Sequence, residues 1–124
     1  GTTYGGNPLA SRVGCAVMDV MTQPGFLDRV YQASNRLWDE MGAVVEANPH
    51  VYQLRRGAGL MQGVVIADPH TCGEVVARLR DEHHLLTVPA GQNVIRLLPP
   101  LIVSDAEIDQ AVSAFAAVAA AMKS

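Results

Sequence analysis

The sequence predicts an α+β domain, and three observations carry that reading. Apolar residues recur at helical spacing in four segments, and four shorter runs rich in β-branched or apolar residues lie between glycines and prolines. Their order is two helices, a hairpin, a helix, two strands and a helix. Helices and strands are mixed without strict alternation, which favours α+β over a doubly wound sheet.

The elements follow from local chemistry. Residues Gly1 to Asn7 contain three glycines in Gly1, Gly5 and Gly6 and read as a loop. Asn7 then caps a helix whose first residue is Pro8, where the missing N–H costs nothing. That helix carries Leu9, Val13, Ala16, Val17 and Val20 on one side and stops before Pro24. A second helix is expected from near Pro24 to about Ala47, with Leu27, Val30, Tyr31, Leu37, Trp38, Met41, Val44 and Val45 at helical spacing. Asn48-Pro49 ends it.

Two extended segments, Val51 to Arg55 and Leu60 to Ala67, are expected to form a hairpin across Arg56-Gly57-Ala58-Gly59, with the glycines giving the turn its backbone freedom. Thr71 followed by Glu74 is a capping box that opens a helix of about a dozen residues. Leu85 to Val88 and Val94 to Leu98 read as short strands joined across Pro89 to Asn93. Ser104 and Glu107 form a second capping box. It opens a terminal helix whose inner face carries Ile108, Ala111, Val112, Phe115, Val118 and Met122.

Composition narrows the function classes. The chain has 124 residues, a length that suits one domain, and 49% of them are apolar, enough for one modest core. Net charge is −3 with no basic cluster, which argues against nucleic acid as a partner. No apolar run approaches a membrane span, and the first residues show no signal-peptide pattern, so nothing in this stretch is expected to direct export. The opening on Gly1 rather than Met is expected of a start inside a longer gene product. Cys15 and Cys72 lie far apart without a CxxC pattern, as expected of buried thiols in a reducing cytosol. His50, His70, His83 and His84 form no metal-ligand spacing, and GxSxG, Walker A and GxGxxG patterns are absent.

Two places could hold chemistry. In Thr2-Thr3-Tyr4-Gly5-Gly6-Asn7-Pro8, two hydroxyls precede glycines and a helix N-terminus. Such a stretch is either an anion site, for phosphate or carboxylate, or a plain turn into a capped helix. Arg96 interrupts the apolar run Val94 to Leu98. It is either a guanidinium that clamps a carboxylate through two parallel hydrogen bonds or a charge pointing outward from an edge strand.

The same stretches carry a resemblance. Gly1-Thr2-Thr3-Tyr4-Gly5-Gly6-Asn7-Pro8-Leu9-Ala10 resembles the loop of class III aminotransferases that reaches the neighbouring subunit's cofactor. Leu54-Arg55-Arg56-Gly57-Ala58-Gly59-Leu60-Met61-Gln62-Gly63 is similar to the hairpin opening their small C-terminal domain. Asn93-Val94-Ile95-Arg96-Leu97-Leu98-Pro99-Pro100-Leu101-Ile102-Val103 is similar to the strand before their last helix. The three stand in the family's order and span essentially the whole chain. Their wording is nearest the acetylornithine type, with ornithine and 4-aminobutyrate aminotransferases as neighbours.

The resemblance implies the small C-terminal domain of a fold-type I aminotransferase, an antiparallel sheet covered by helices. Residues 24–124 would form that domain with its leading long helix. Residues 1–23 would be a cofactor loop and helix belonging with a large domain. It implies pyridoxal 5′-phosphate (PLP) as cofactor of the parent enzyme, with Thr3 on the cofactor phosphate and Thr2 and Arg96 on substrate. Thr2 stands where serine is frequent; it keeps the hydroxyl and adds a methyl group.

The implied reaction is amino transfer from N-acetylornithine, or a related ω-amino donor, to 2-oxoglutarate in arginine biosynthesis, by a cytoplasmic homodimer. The only lysine is Lys123, in what reads as a solvent-facing tail. The family's cofactor-bearing lysine belongs upstream of the loop, so this stretch supplies no catalytic residue, is expected to be inactive alone and is not expected to hold PLP by itself. A free-standing, non-catalytic α+β binding or interaction module is the alternative.

Overall fold

The computed structural model describes residues 1–122. The expectation for Lys123 lies outside them. Four helices, α1 (Pro8–Met21), α2 (Phe26–Ala47), α3 (Cys72–His83) and α4 (Asp105–Ala121), accompany four strands, β1 (Tyr52–Ala58), β2 (Met61–Ile66), β3 (Val88–Ala90) and β4 (Val94–Leu97). The strands form one antiparallel sheet in the order β1-β2-β4-β3. The α+β antiparallel expectation therefore holds.

Alternation along the strands gives the sheet two unlike faces. Tyr52, Val64, Ile66, Ile95 and Leu97 enter a core with Leu37 and Met41 of α2, Val75 and Leu79 of α3, and Ile108, Phe115 and Val118 of α4. Phe115 is fully buried, and its truncation to alanine would cost roughly 3–5 kcal/mol. The Tyr52 ring packs against Phe115 at 5.8 Å between centroids, and its hydroxyl donates to the Phe115 carbonyl at 2.8 Å. Buried Gln62 is satisfied as well: its amide donates to the carbonyls of Ser34 at 3.1 Å and Gly59 at 3.0 Å, tying the hairpin to α2.

Both capping boxes form. The Thr71 hydroxyl accepts from the Glu74 N–H while the Glu74 carboxylate accepts from Thr71, and Ser104 and Glu107 repeat the arrangement. Arg36 of α2 pairs with Glu40, Asp105 and Asp109, fastening α2 to the start of α4. The Glu40 and Asp105 hydrogen bonds raise the basicity of that guanidinium.

Several local expectations are corrected. The hairpin turn is Gly59-Leu60, not Arg56 to Gly59: β1 continues through Arg56 and Gly57 because Gly57, at φ +136°, lets the Met61 carbonyl approach where a Cβ would stand 2.2 Å away. Leu60 leaves the strand to fill the core. Leu85 to Thr87 lie outside the sheet, and β3 starts only at Val88. Pro89 is accommodated there because β3 is an edge strand.

In α2, Leu27 and Tyr31 are 53% and 67% exposed. The fully buried stripe begins at Ala33; ahead of it Val30 packs half-buried against the core, while Leu27 and Tyr31 point away from it. Every residue of α1 from Pro8 to Val20 is exposed, so its apolar side covers nothing in this chain. Cys15 is exposed with it and Cys72 is half-buried, against the expectation of two buried thiols. Among the described residues, no helix is long and apolar enough to cross a membrane.

Candidate functional site

The opening loop is shaped by its own hydrogen bonds. Asn7 accepts from the Ala10 N–H at 3.0 Å through Oδ1 and donates to the Tyr4 carbonyl at 2.6 Å through Nδ2. Gly6 takes φ +74°, a left-handed value that a glycine adopts without strain. Gly5 leaves the space that the Thr2 side chain uses: a Cβ there would stand 2.7 Å from Thr2 Oγ1. Thr2 and Thr3 are exposed just ahead of a capped helix, with the Thr2 hydroxyl lying over Gly5. Those hydroxyls fit a phosphate group, because each can donate without breaking a contact that builds the fold.

Arg96 lies in the middle of the sheet's second face. Its neighbours Ile95 and Leu97 are buried in the core while Arg96 is exposed. It is not on an edge strand: β4 is flanked by β2 and β3, and Arg96 stands opposite Gly63 on one side and Val88 on the other. Among the described residues, Arg96 and its row neighbour Arg56 are exposed, and Arg96 has no ion-pair partner. The depression that it lines holds Arg56, Met61, Gly63, Ala90 and Val94, and no residue of the opening loop. The structure therefore does not bring Thr2 and Thr3 together with Arg96 within one copy of the chain.

Two supporting groups escape a reading of the sequence. Asn93, at φ +55°, accepts from the Cys72 N–H at 2.6 Å and donates to the carbonyls of Ile66 and His70, both at 3.0 Å. It thereby locks the start of β4 to the link between β2 and α3. Arg29 donates to the carbonyls of Leu101 at 2.7 Å and Val103 at 3.3 Å, holding the segment that follows Arg96's strand. Asn93 carries a weak signal, an asparagine two residues after a glycine in a turn, but nothing in the sequence gives its partners.

Arg55 and Arg56 take opposite faces, as adjacent strand residues must. Arg55 turns to the helices and stacks on Trp38, while Arg56 turns to the bare face with Arg96. Two successive arginines in a strand are the one legible sign that the bare face carries more than a single charge.

Known proteins share this sequence and shape. A family model described as aminotransferase class-III matches residues 1–119. An acetylornithine aminotransferase of Mesorhizobium japonicum is 50% identical over 113 residues, covering 91% of this chain and 28% of that protein. The solved acetylornithine aminotransferase of Elizabethkingia anophelis superposes on 98% of this chain with a TM-score of 0.84 at 28% identity, using 32% of its own length. The ornithine aminotransferase of Toxoplasma gondii, whose structure has PLP at partial occupancy in the active site, gives 0.83 over 98% of this chain and 29% of its own, again at 28% identity. This chain thus spans less than a third of the relatives that it matches.

Proposed function

This chain belongs to the class-III aminotransferase family, and from that premise we propose that it is the C-terminal part of an enzyme transferring an amino group from N-acetylornithine to 2-oxoglutarate. The observation that carries the donor is the 50% identity, over 91% of the chain, with an acetylornithine aminotransferase. The reading brings its setting with it: arginine biosynthesis, a cytoplasmic location and a homodimeric parent.

PLP, when bound, supplies the electron sink for amino transfer. The residues of this chain bind and orient. Thr3 donates its hydroxyl to the cofactor phosphate of the partner subunit, and Thr2 touches the acylated donor. Among the described residues, the depression that Arg96 lines holds no residue of the loop, which favours action on two different copies of the site. Arg96 receives a substrate carboxylate; its position between two strands fixes where its planar donors emerge, which a loop arginine could not match. Residues 1–23 belong with the large domain in this reading, and the uncovered side of α1 supports that assignment. Residues 24–124 form the small domain.

The test is an assay of the full-length gene product with N-acetylornithine, ornithine and 4-aminobutyrate as donors to 2-oxoglutarate. N-acetylornithine is expected to give the highest kcat/KM. Preference for either unacylated donor would overturn the donor assignment, and absence of transfer from all three would overturn the reaction.

A further inference from the structure

We propose that Asn93 is a positioning residue for amino transfer, acting through Arg96 from the opposite side of the sheet; the inference rests on the reading that Arg96 receives a substrate carboxylate. Continuing the β2–β4 register one pair beyond Val65↔Val94 sets Asn93 opposite Ile66. The Ile66 N–H donates to the Asn93 carbonyl at 2.9 Å, as a ladder requires. The return bond comes from the side chain: at φ +55° the Asn93 backbone has left the strand, and Nδ2 donates to the Ile66 carbonyl at 3.0 Å. The same amide donates to the His70 carbonyl at 3.0 Å, while Oδ1 accepts from the N–H of Cys72, the first residue of α3, at 2.6 Å. One side chain thus ends the ladder and fastens it to α3.

Other ties hold β4 loosely along its length. The strand has four residues, Val94–Leu97. On one flank it meets β3, whose Pro89 stands opposite Ile95 and has no N–H to give. Past its far end, Pro99 and Pro100 cannot donate to a longer ladder either. Burial of Ile95 and Leu97 decides which face Arg96 takes, because a slip of one residue would carry the charge into the core. Burial does not decide, within a fraction of a residue, where along the strand the guanidinium emerges. The clamp at Asn93 does, from three residues or roughly 10 Å away.

The side chain of Asn93 works out of reach of any carboxylate that Arg96 holds. It is half-buried and bonded to the start of α3, whose Val75 and Leu79 pack in the core with Ile95. Arg96 emerges on the other face. A displacement on the order of 1 Å in a group that orients substrate can cost up to about a hundredfold in rate, so a clamp remote from the substrate still bears on turnover.

Asn93→Gly removes the amide and keeps the backbone, since glycine takes φ +55° freely. In the full-length enzyme it is combined with Arg96→Gln, and kcat/KM for donor and acceptor, thermal midpoint and PLP content are measured on the four proteins of the cycle. Asn93→Gly is expected to lower kcat/KM about tenfold for the substrate that Arg96→Gln affects. In the Arg96→Gln background the same change should cost less than about twofold, while the thermal midpoint falls equally in both backgrounds and PLP content holds. Equal fold-losses in both backgrounds would mean general loosening and overturn the proposal, as would a lowered midpoint with kcat/KM unchanged. Either result leaves the reading of Arg96 standing. Unchanged kinetics in Arg96→Gln would remove that reading and the proposal together. If the glycine variant does not fold, Asn93→Asp takes its place under the same criteria, because it keeps the acceptor for the Cys72 N–H and loses the amide donors.

Discussion

The guanidinium of Arg55 stands 4.3 Å from the centre of the Trp38 ring, in a space that exists because residue 42 of the facing helix is glycine. A Cβ on Gly42 would lie 2.3 Å from Arg55 Cζ. Arg55 Nη1 is buried there without a hydrogen-bond partner, so the aromatic face is what compensates the charge. Glycine inside a helix normally costs about 1 kcal/mol relative to alanine. Gly42→Ala should therefore stabilise an Arg55→Ala background by about that amount. In the presence of Arg55 it should destabilise, because the displaced guanidinium gives up a cation–π contact worth roughly 1–2 kcal/mol. Equilibrium unfolding of the four proteins in this cycle measures the coupling, and additive effects would remove the Trp38–Arg55–Gly42 arrangement as an energetic unit.

Asn93 should be among the most sensitive polar positions. Alanine there leaves the Cys72 N–H without its acceptor, deprives two carbonyls of a donor and places a β-carbon at φ +55°. The combined cost is expected to be roughly 2–4 kcal/mol. Asn93→Gly relieves only the backbone part, so it should recover about 1 kcal/mol in denaturant titration and no more.

Stability should fall off at both ends of the pH scale, for different groups. Burial pushes the Tyr52 phenol well above its ordinary value of 10.0, so the folded chain keeps a proton that the unfolded chain loses. That contribution is complete below pH 10 and is lost as pH rises beyond it. Tyr52→Phe should remove this alkaline loss and cost about 1 kcal/mol at neutral pH for the missing hydrogen bond. At the acid end, hydrogen bonds from the Thr71 N–H and hydroxyl lower the pKa of Glu74, and those from Ser104 do the same for Glu107. Their contribution is present above the usual carboxylate value of 4.5 and is lost as pH falls through the lowered folded value. Glu74→Gln and Glu107→Gln should flatten the acid limb of a stability profile and leave the alkaline limb unchanged.

In the full-length enzyme, Thr3→Ala should weaken PLP retention about ten- to a hundredfold while leaving the small domain folded. Arg96→Lys should damage substrate kinetics more than cofactor binding, since lysine keeps the charge and loses the planar fork. PLP dissociation and amino-donor kinetics measured on each variant separate the two roles. Unchanged PLP affinity in Thr3→Ala, or unchanged kinetics in Arg96→Lys, would return that residue to a turn hydroxyl or a surface charge.

The parts of the fold written in local chemistry could be read from the sequence. Asn7-Pro8, Thr71 with Glu74 and Ser104 with Glu107 set helix starts through contacts spanning three residues or fewer, and each forms. The parts that failed depend on what lies across from them. Leu27 and Tyr31 have the right spacing, yet whether a core reaches them depends on what packs across from them, which the helix does not encode. The strand limits moved for the same reason: Gly57 reads as a turn residue until the Met61 carbonyl is seen pressing on it. Thr2, Thr3 and Arg96 were legible as residue types in context. The mid-sheet placement of Arg96 and its alignment with Arg56 come from strand register, a long-range property.

The short strand β3 also shapes one of the two margins at which this sheet could meet other chains. An open sheet edge is a template on which further strands can grow, the first step toward fibrils. Here that edge is three residues long and centred on Pro89, which has no N–H to offer an incoming strand. A Pro89→Val substitution would restore the donor and raise local β-propensity. The proline thus works as a gatekeeper, suppressing edge-to-edge polymerisation at the margin where the sheet would otherwise be free to extend.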